Sequence, residues 1–326
     1  MTGTCLLIGD IGGTNARFAV ADGSGAGFSR QKALRCDNFA TATLAIRAYL
    51  EGIGIEQPTA ICLAVAGPVA SDGVRVTNNQ WHVDIAELRE AFNTEAIRLL
   101  NDFEAIAYAI PLLGAADFVS IGSPLRCDLD RQEFTIAVVG PGTGLGAVGL
   151  CQRDNSLFPI AGEAGHVGFA PETPVQLQIY ADLARQFGRV SAERLLSGPG
   201  VENIYRALSR ARGDTRAGLS SAELFARAAD HSDSYAVDAV QIFFEALGQV
   251  AGDLALAFGA ADGIYIAGGI VQRYPEMLAA SDFRQGFENK GRQRALLEKI
   301  PTQLVIYPQP GLLGASYCVG ELVPTR

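Results

Sequence analysis

Residues 4–20 read Thr-Cys-Leu-Leu-Ile-Gly-Asp-Ile-Gly-Gly-Thr-Asn-Ala-Arg-Phe-Ala-Val. An apolar run at 4–8 meets Gly9-Asp10-Ile11-Gly12-Gly13-Thr14, and residues 16–20 then alternate polar and apolar. That order predicts a strand, a glycine turn and a returning strand. Glycine in a tight turn supplies positive φ and lets backbone N–H groups approach a phosphate closely. An ordinary hairpin, with Asp10 solvated or capping an Asx turn, would show the same local pattern.

Working outward, residues 41–51 have helical periodicity. Residues 59–66 (Thr-Ala-Ile-Cys-Leu-Ala-Val-Ala) read as a buried strand closed by Gly67-Pro68. Residues 84–92 read as a helix capped by Asp84. Residues 97–100 form a short strand and 103–113 a helix. Strands alternating with helices place the chain in the α/β class. Asn101-Asp102 stands where the strand ends. A carboxylate there opens onto the crevice where α/β sheets bind ligands, and it can take a proton from a hydroxyl. Capping of the following helix is the competing reading, and the local pattern alone favours it.

A second series repeats the first in outline. Residues 133–139 form a strand, Gly140-Pro-Gly-Thr-Gly-Leu-Gly146 a turn, and residues 147–151 a strand. Two such units roughly 130 residues apart hint at internal duplication. Gly144, Gly146 and Gly149 match a dinucleotide fingerprint, but that motif must open a helix, and a strand follows here. No Gly-Lys-Ser/Thr ends the run, so it is not a Walker A loop. A second phosphate-gripping hairpin, with the Thr143 hydroxyl as a donor, fits better. Residues 174–188, 201–212, 220–229 and 234–259 are helical in pattern. Residues 263–266 form a strand followed by Ala267-Gly268-Gly269-Ile270, and a glycine pair there lets a flat ring lie against the backbone. A strand at 303–307 and a helix from about 312 to 322 close the chain. No low-complexity linker is visible, so the domain boundary is a tight hinge, placed near Pro111 with a return near Pro308.

The 326 residues suggest about two domains. With 48% hydrophobic and 19% charged residues the chain can bury a sizeable core. Its 26 basic and 35 acidic residues sum to −9, which argues against a nucleic-acid partner. The six cysteines, at 5, 36, 62, 127, 151 and 318, show no zinc-ribbon or redox spacing and read as reduced, packed thiols. No signal peptide is visible, and the charge-free stretch 134–152 is interrupted by glycines and a proline, so it reads as two strands rather than a membrane span. These features point to a cytoplasmic protein.

Two further clusters carry polar chemistry. Ala161-Gly-Glu163-Ala-Gly-His166-Val-Gly168 puts two polar heads on one face of a turn; a metal pair and a simple Glu–His hydrogen bond are both open, and no third ligand is evident. Ser191-Ala-Glu193-Arg194 offers another carboxylate, with a capping box or a solvated turn as the plainer readings.

The order of these features resembles the actin-like ATPase (ribonuclease H-like) fold of sugar kinases, with two domains around an interdomain cleft. It is most similar to the bacterial glucokinase branch rather than the ROK branch. The stretches carrying the likeness are residues 9–17, 101–103, 140–146, 162–166 and 196–200, and it extends to Gly311-Leu-Leu-Gly-Ala315. The resemblance implies ATP-dependent phosphorylation of glucose to glucose 6-phosphate, with Asp102 as general base. It implies that Asn79, Asn101, Glu163, His166 and Glu193 bind sugar hydroxyls. It places the ATP phosphates on Gly9, Asp10, Ile11, Gly12, Gly13 and Thr14 and on Gly142, Thr143 and Gly144, and the adenosine near Gly268 and Gly269. Asp10 would hold Mg²⁺, directly or through water, and the protein would be a homodimer. The smaller domain would comprise residues 1–110 with about 308–326, and the larger 111–307. ROK kinases carry a Cys-rich zinc site after their Gly-His motif; no Cys lies between 151 and 318 here, so no structural zinc is expected.

Physical chemistry agrees with that implication. Phosphoryl transfer asks mainly for positioning and charge neutralisation. With three Lys, the chain must rely on backbone donors, Mg²⁺ and its 23 arginines, Arg17 among them. Carboxylates, an amide and an imidazole can pair the hydroxyls of a hexose, and closure of two domains would exclude water. Three alternatives remain at this level: a kinase for fructose, mannose or an N-acetylated amino sugar; a sugar-sensing regulator without turnover; and an NAD-dependent dehydrogenase, disfavoured by the strand after Gly146.

Overall fold

The computed structural model describes residues 4–123, 128–214 and 218–323; Cys127 lies outside them. In chain order the elements are β1 (Leu6–Ile11), β2 (Asn15–Ala21), β3 (Phe28–Arg35), α1 (Ala42–Gly52), β4 (Ala60–Val65), β5 (Gly73–Arg75), β6 (His82–Asp84), α2 (Ile85–Phe92), β7 (Ile97–Asn101) and α3 (Asp102–Ala109). There follow β8 (Phe118–Ser120), β9 (Phe134–Pro141), β10 (Leu145–Arg153), β11 (Ser156–Ile160), α4 (Pro174–Phe187), α5 (Gly198–Ala211), α6 (Ser221–Ala229) and α7 (Ser234–Phe258). The chain closes with β12 (Ile264–Ile266), α8 (Pro275–Ala279), α9 (Phe283–Glu288), α10 (Arg294–Leu297), β13 (Thr302–Val305) and α11 (Pro310–Gly320). It divides into two compact units: residues up to Gly114 with those from Tyr307 onward, and Ala115–Ile306.

In the first unit the sheet order is β3-β2-β1-β4-β7. β1 lies antiparallel to β2 and parallel to β4, and β4 parallel to β7. A central strand covered on both faces needs an unbroken apolar run, and every residue of β4 is buried. Leu7, Phe18, Ile46, Tyr49, Leu63, Trp81, Leu88 and Phe92 build its core. α1 starts where Thr41 Oγ1 accepts the Leu44 N–H, and α2 where Asp84 accepts the Glu87 N–H, the cap expected from the sequence.

In the second unit the order is β11-β10-β9-β12-β13-β8. β9 and β10 form the antiparallel hairpin, β9, β12 and β13 run parallel, and β8 lies antiparallel at the edge. The first five strands therefore repeat the order of the first unit, which gives the hint of duplication a structural counterpart. Gly146 and Gly149 lie inside β10, so the fingerprint-like glycines open a strand and not a helix. α7 is the one helix among the described residues long and apolar enough to cross a membrane, and 78% of its most apolar window is buried inside the protein. It is the core helix of this unit, packed with Phe225, Phe283 and Phe287. The five described cysteines are free thiols, and Cys5, Cys36, Cys62 and Cys318 are buried.

Two expectations need correction, and several elements are not expected from the sequence at all. β1 does not stop at residue 8 but runs through Gly9, Asp10 and Ile11, so the turn is only residues 12–14. The helix expected over 103–113 ends at Ala109 and tightens into a 3₁₀ turn at Ile110–Leu112, beside Pro111. The strands at 28–35, 73–75, 82–84, 118–120 and 156–160 and the short helices between 275 and 297 lacked a periodic signal in the sequence.

Candidate active site

In the first unit, the Gly12 N–H donates to the Asn15 carbonyl at 3.0 Å and closes the turn. Behind it, the Cys36 N–H donates to the Thr14 carbonyl at 2.9 Å and Cys36 Sγ donates to the Gly12 carbonyl at 3.5 Å. The N–H groups of Gly13 and Thr14 make no hydrogen bond within the described residues. Neither Gly9, Gly12 nor Gly13 has positive φ, so one of the two expected reasons for glycine does not hold. The demand is close approach: a Cβ on Gly9 would lie 2.7 Å from Leu63 Cδ2, and one on Gly13 3.0 Å from the Thr77 carbonyl.

Asp10 is half-buried on β1, opposite Arg17 on β2. Burial pushes its carboxyl up, and the Arg17 guanidinium pulls it down. The carboxylate accepts no hydrogen bond from the described residues. The first turn of α11 lies against it: a Cβ on Gly311 would sit 3.2 Å from Asp10 Cγ. A helix N-terminus favours a neighbouring anion.

β7 ends on Asn101, and α3 begins on Asp102. The cap is Asn101, not Asp102. Asn101 Oδ1 accepts the Phe103 N–H at 2.9 Å, and Glu104 reaches back to the Asn101 N–H at 3.4 Å, a complete capping box. Asn101 Nδ2 also donates to the Gly67 carbonyl at 3.1 Å. Asn101 and Glu104 thus cap the helix start, and Asp102, at the first helical position, also accepts the Phe103 N–H at 3.1 Å. Glu104 is itself held up by burial and lies 4.0 Å from Arg98. Asn79 Oδ1 accepts the Trp81 N–H at 3.1 Å, while its buried Nδ2 has no hydrogen-bond partner among the described residues.

In the second unit, the Gly142 N–H donates to the Gly144 carbonyl at 2.8 Å, and the Gly198 N–H donates to the Gly142 carbonyl at 2.9 Å. The N–H groups of Thr143 and Gly144 make no hydrogen bond within the described residues. Glu193 Oε2 accepts the Leu145 N–H at 3.0 Å. Neither plainer reading of Glu193 holds, since Ser191 makes no side-chain cap and the carboxylate grips the hairpin. Ser197 caps α5 by accepting the Gly200 N–H and donates to the Glu193 carbonyl at 2.9 Å. Glu163 and His166 flank a 3₁₀ turn, both exposed, with Oε2 and Nε2 4.0 Å apart. Gly268 follows β12 with φ +101°.

Each unit thus gathers its own predicted residues. The first brings Gly9–Thr14, Asp10, Asn79, Asn101 and Asp102 to the ends of β1 and β7; the second brings Gly142–Gly144 and Glu193 into direct contact. Sequence reasoning missed Glu104, although its spacing from Asn101 is a capping-box signal. It also missed Cys36, whose contacts with the turn are non-local and leave no signature. Among the described residues no group of three or more His, Cys, Asp or Glu side chains is placed to hold a metal.

The sequence profile of the glucokinase family matches residues 7–322. The chain is 42% identical over 311 residues to a glucokinase of Aromatoleum aromaticum, covering 95% of this chain and 93% of that one. It is 39% identical over 325 residues to a glucokinase of Xylella fastidiosa, covering 98% and 96%. Its fold superposes on the crystal structure of a glucokinase from an Antarctic psychrotroph with a TM-score of 0.85 and 34% identity, covering 97% of this chain and 98% of that chain. The chain belongs to the glucokinase family and is a glucose-phosphorylating kinase on the actin-like ATPase fold.

Proposed function

We propose that this chain transfers the γ-phosphoryl group of ATP to the 6-hydroxyl of glucose, with Asp102 as general base. The observation that carries the assignment is the division of labour at the start of α3. Asn101 and Glu104 make the capping box between them, and Asp102, whose Oδ1 shares the Phe103 N–H at 3.1 Å, stands beside that box at the strand end. The hydroxyl proton passes to Asp102 as O6 attacks the γ-phosphorus. The bond from that phosphorus to the β–γ bridging oxygen breaks, releasing ADP and glucose 6-phosphate. Positioning is the larger task. We assign Asn79, Asn101, Glu163, His166 and Glu193 as the donors and acceptors for a hexose, and Nδ2 of Asn79, without a partner among the described residues, suits a hydroxyl acceptor.

The N–H groups of Gly13, Thr14, Thr143 and Gly144 are the donors left for phosphate oxygens, because those of Gly12 and Gly142 close their own turns. Gly9 and Ile11 hold the first turn from its strand, and Gly268-Gly269 is assigned to the adenosine. Mg²⁺ fits Asp10: a half-buried carboxylate with no hydrogen-bond donor among the described residues suits a cation held by one carboxylate, water and phosphate. Bound there, Mg²⁺ would neutralise charge on the phosphates. By family likeness we also assign a cytoplasmic homodimer, which light scattering tests. The decisive assay couples ADP and sugar 6-phosphate detection over a panel of hexoses, with Asp102→Ala as control. Turnover on glucose, abolished in the control, supports the assignment; preference for another hexose overturns the substrate, and an active control overturns the base.

A further inference from the structure

We propose that Glu193 couples the sugar side of the site to the phosphate-binding turn, so that glucose and nucleotide each tighten the other through one carboxylate. The proposal rests on Glu193 as a sugar ligand and residues 142–144 as a phosphate turn.

Three contacts within the second unit converge on the end of that turn. Glu193 Oε2 accepts the N–H of Leu145, the residue that resumes the hairpin opposite Pro141. The same oxygen lies against Gly144, where a Cβ would stand only 2.5 Å away. From the other side, the Glu163–His166 turn bears on Leu145: a Cβ on Gly165 would lie 2.1 Å from the Leu145 carbonyl oxygen. Both sugar-side segments therefore touch one residue of the nucleotide-side hairpin.

Peptide planarity makes that contact consequential. The Leu145 N–H and the Gly144 carbonyl belong to one rigid plane. Glu193 holds its N–H edge, and the carbonyl at the opposite edge accepts the Gly142 N–H at 2.8 Å, the bond that closes the turn. Fixing Glu193 thus fixes the turn and the directions of the Thr143 and Gly144 N–H groups. A carboxylate has lone pairs beyond the one used on Leu145. A sugar hydroxyl donating to the remaining sites would lock the side chain's rotamers, and the turn would be preorganised before nucleotide arrives. Linkage makes the effect reciprocal: nucleotide must raise glucose affinity by the same factor. Glu193 acts here as a positioning residue for the turn as well as a sugar ligand.

The test is calorimetric titration of the full-length protein with glucose and with a non-hydrolysable ATP analogue, each alone and in the presence of the other. Wild type should show mutual tightening of about fivefold or more. Gly144→Ala drives a methyl into Oε2, so glucose should bind about fivefold more weakly with no nucleotide present, although residue 144 is no sugar ligand. Glu193→Ala should weaken nucleotide binding in the absence of glucose by a similar factor. Glu193→Gln keeps an oxygen for the Leu145 N–H and should restore nucleotide affinity to within about twofold of wild type while glucose stays weak. If Gly144→Ala fails to fold, the Ala and Gln pair at 193 decides alone. Coupling of wild-type size in Glu193→Ala, or nucleotide affinity there unchanged within about twofold, overturns the proposal. Wild type that binds neither ligand would instead overturn the underlying assignment of the site.

Discussion

The two glycine turns each spend their first N–H on closure, one onto the carbonyl three residues on and the other onto the carbonyl two residues on, and they are backed differently. In each, the first N–H of the turn is spent on closure, Gly12 onto Asn15 and Gly142 onto Gly144, and the next two N–H groups are left without a partner among the described residues. The strands leading into them diverge. One position before the last ladder pair, β1 carries Asp10 and β9 carries Gly140. The last parallel strand of the first unit ends on Asn101 beside Asp102, whereas β13 ends on Val305. The second unit instead brings in its carboxylates from loops, as Glu163 and Glu193. One strand order therefore supplies two similar turns with unspent N–H groups, and charge is added separately to each. On the proposed assignment, the first unit carries the proton and metal chemistry and the second carries groups that hold.

The largest test of that contrast is Asp102→Asn. It should lower kcat by roughly 10²–10⁴-fold with little change in glucose affinity, read by steady-state kinetics beside glucose calorimetry. Near-normal turnover would move the proton chemistry out of the first unit.

Stability should separate the two turns next. A Cβ on Gly9 meets the buried Leu63 and Phe18 side chains at 2.7 and 3.0 Å, whereas one on Gly142 meets nothing closer than 4.0 Å. Overpacking of this kind costs about 1–3 kcal/mol, so Gly9→Ala should lose that much in urea unfolding. Gly142→Ala should stay within about 0.5 kcal/mol of wild type. Equal losses would mean that the strand beneath the first turn is not packed as tightly as these contacts require.

Asp10→Asn sharpens the electrostatic half of the comparison with a smaller effect. Burial raises the folded pKa of Asp10 above its ordinary value of 3.8, against the opposing pull of Arg17. A raised carboxyl contributes stability that is full below 3.8 and is lost as pH rises through the folded value. As pH rises from 3.8 toward neutrality the ligand-free wild type loses this contribution, so the amide variant should unfold at higher urea than wild type at pH 7. The gap should narrow toward acid pH. The same variant should bind Mn²⁺ more weakly in a water-relaxation titration. A variant less stable at neutral pH would show that Arg17 outweighs burial.

Much of the fold is legible in local sequence because it is set locally. The apolar run of β4 and the Asp84 cap need no distant information. The end of β1 does not read correctly, since Gly9 looks like a turn residue until Leu63 and Phe18 are seen filling the space its side chain would need. At the start of α3 two good capping residues stand side by side, and Glu104, at the third helical position counted from Asn101, breaks the tie. That signal was present in the sequence. Glu193 is the opposite case. Its spacing from Ser191 suggests a local cap, but its partner is a backbone N–H 48 residues away, which no periodicity encodes.

The smallest expected effect lies at the glycine pair after β12, and it asks whether the second unit holds nucleotide beyond the phosphates. Gly268 is a poor probe: its φ of +101° and a Cβ 2.5 Å from the Pro141 carbonyl would make any side chain there a folding defect. Gly269 has neither constraint, since its φ is not positive and nothing lies within 4 Å of a Cβ built on it. Gly269→Ala should therefore leave unfolding free energy within about 0.5 kcal/mol of wild type. If a flat ring rests against that bare backbone, the added methyl occupies its place, so KM for ATP should rise severalfold while KM for glucose and kcat hold. An unchanged KM for ATP would place the ring elsewhere and confine the second unit's role to phosphate and sugar.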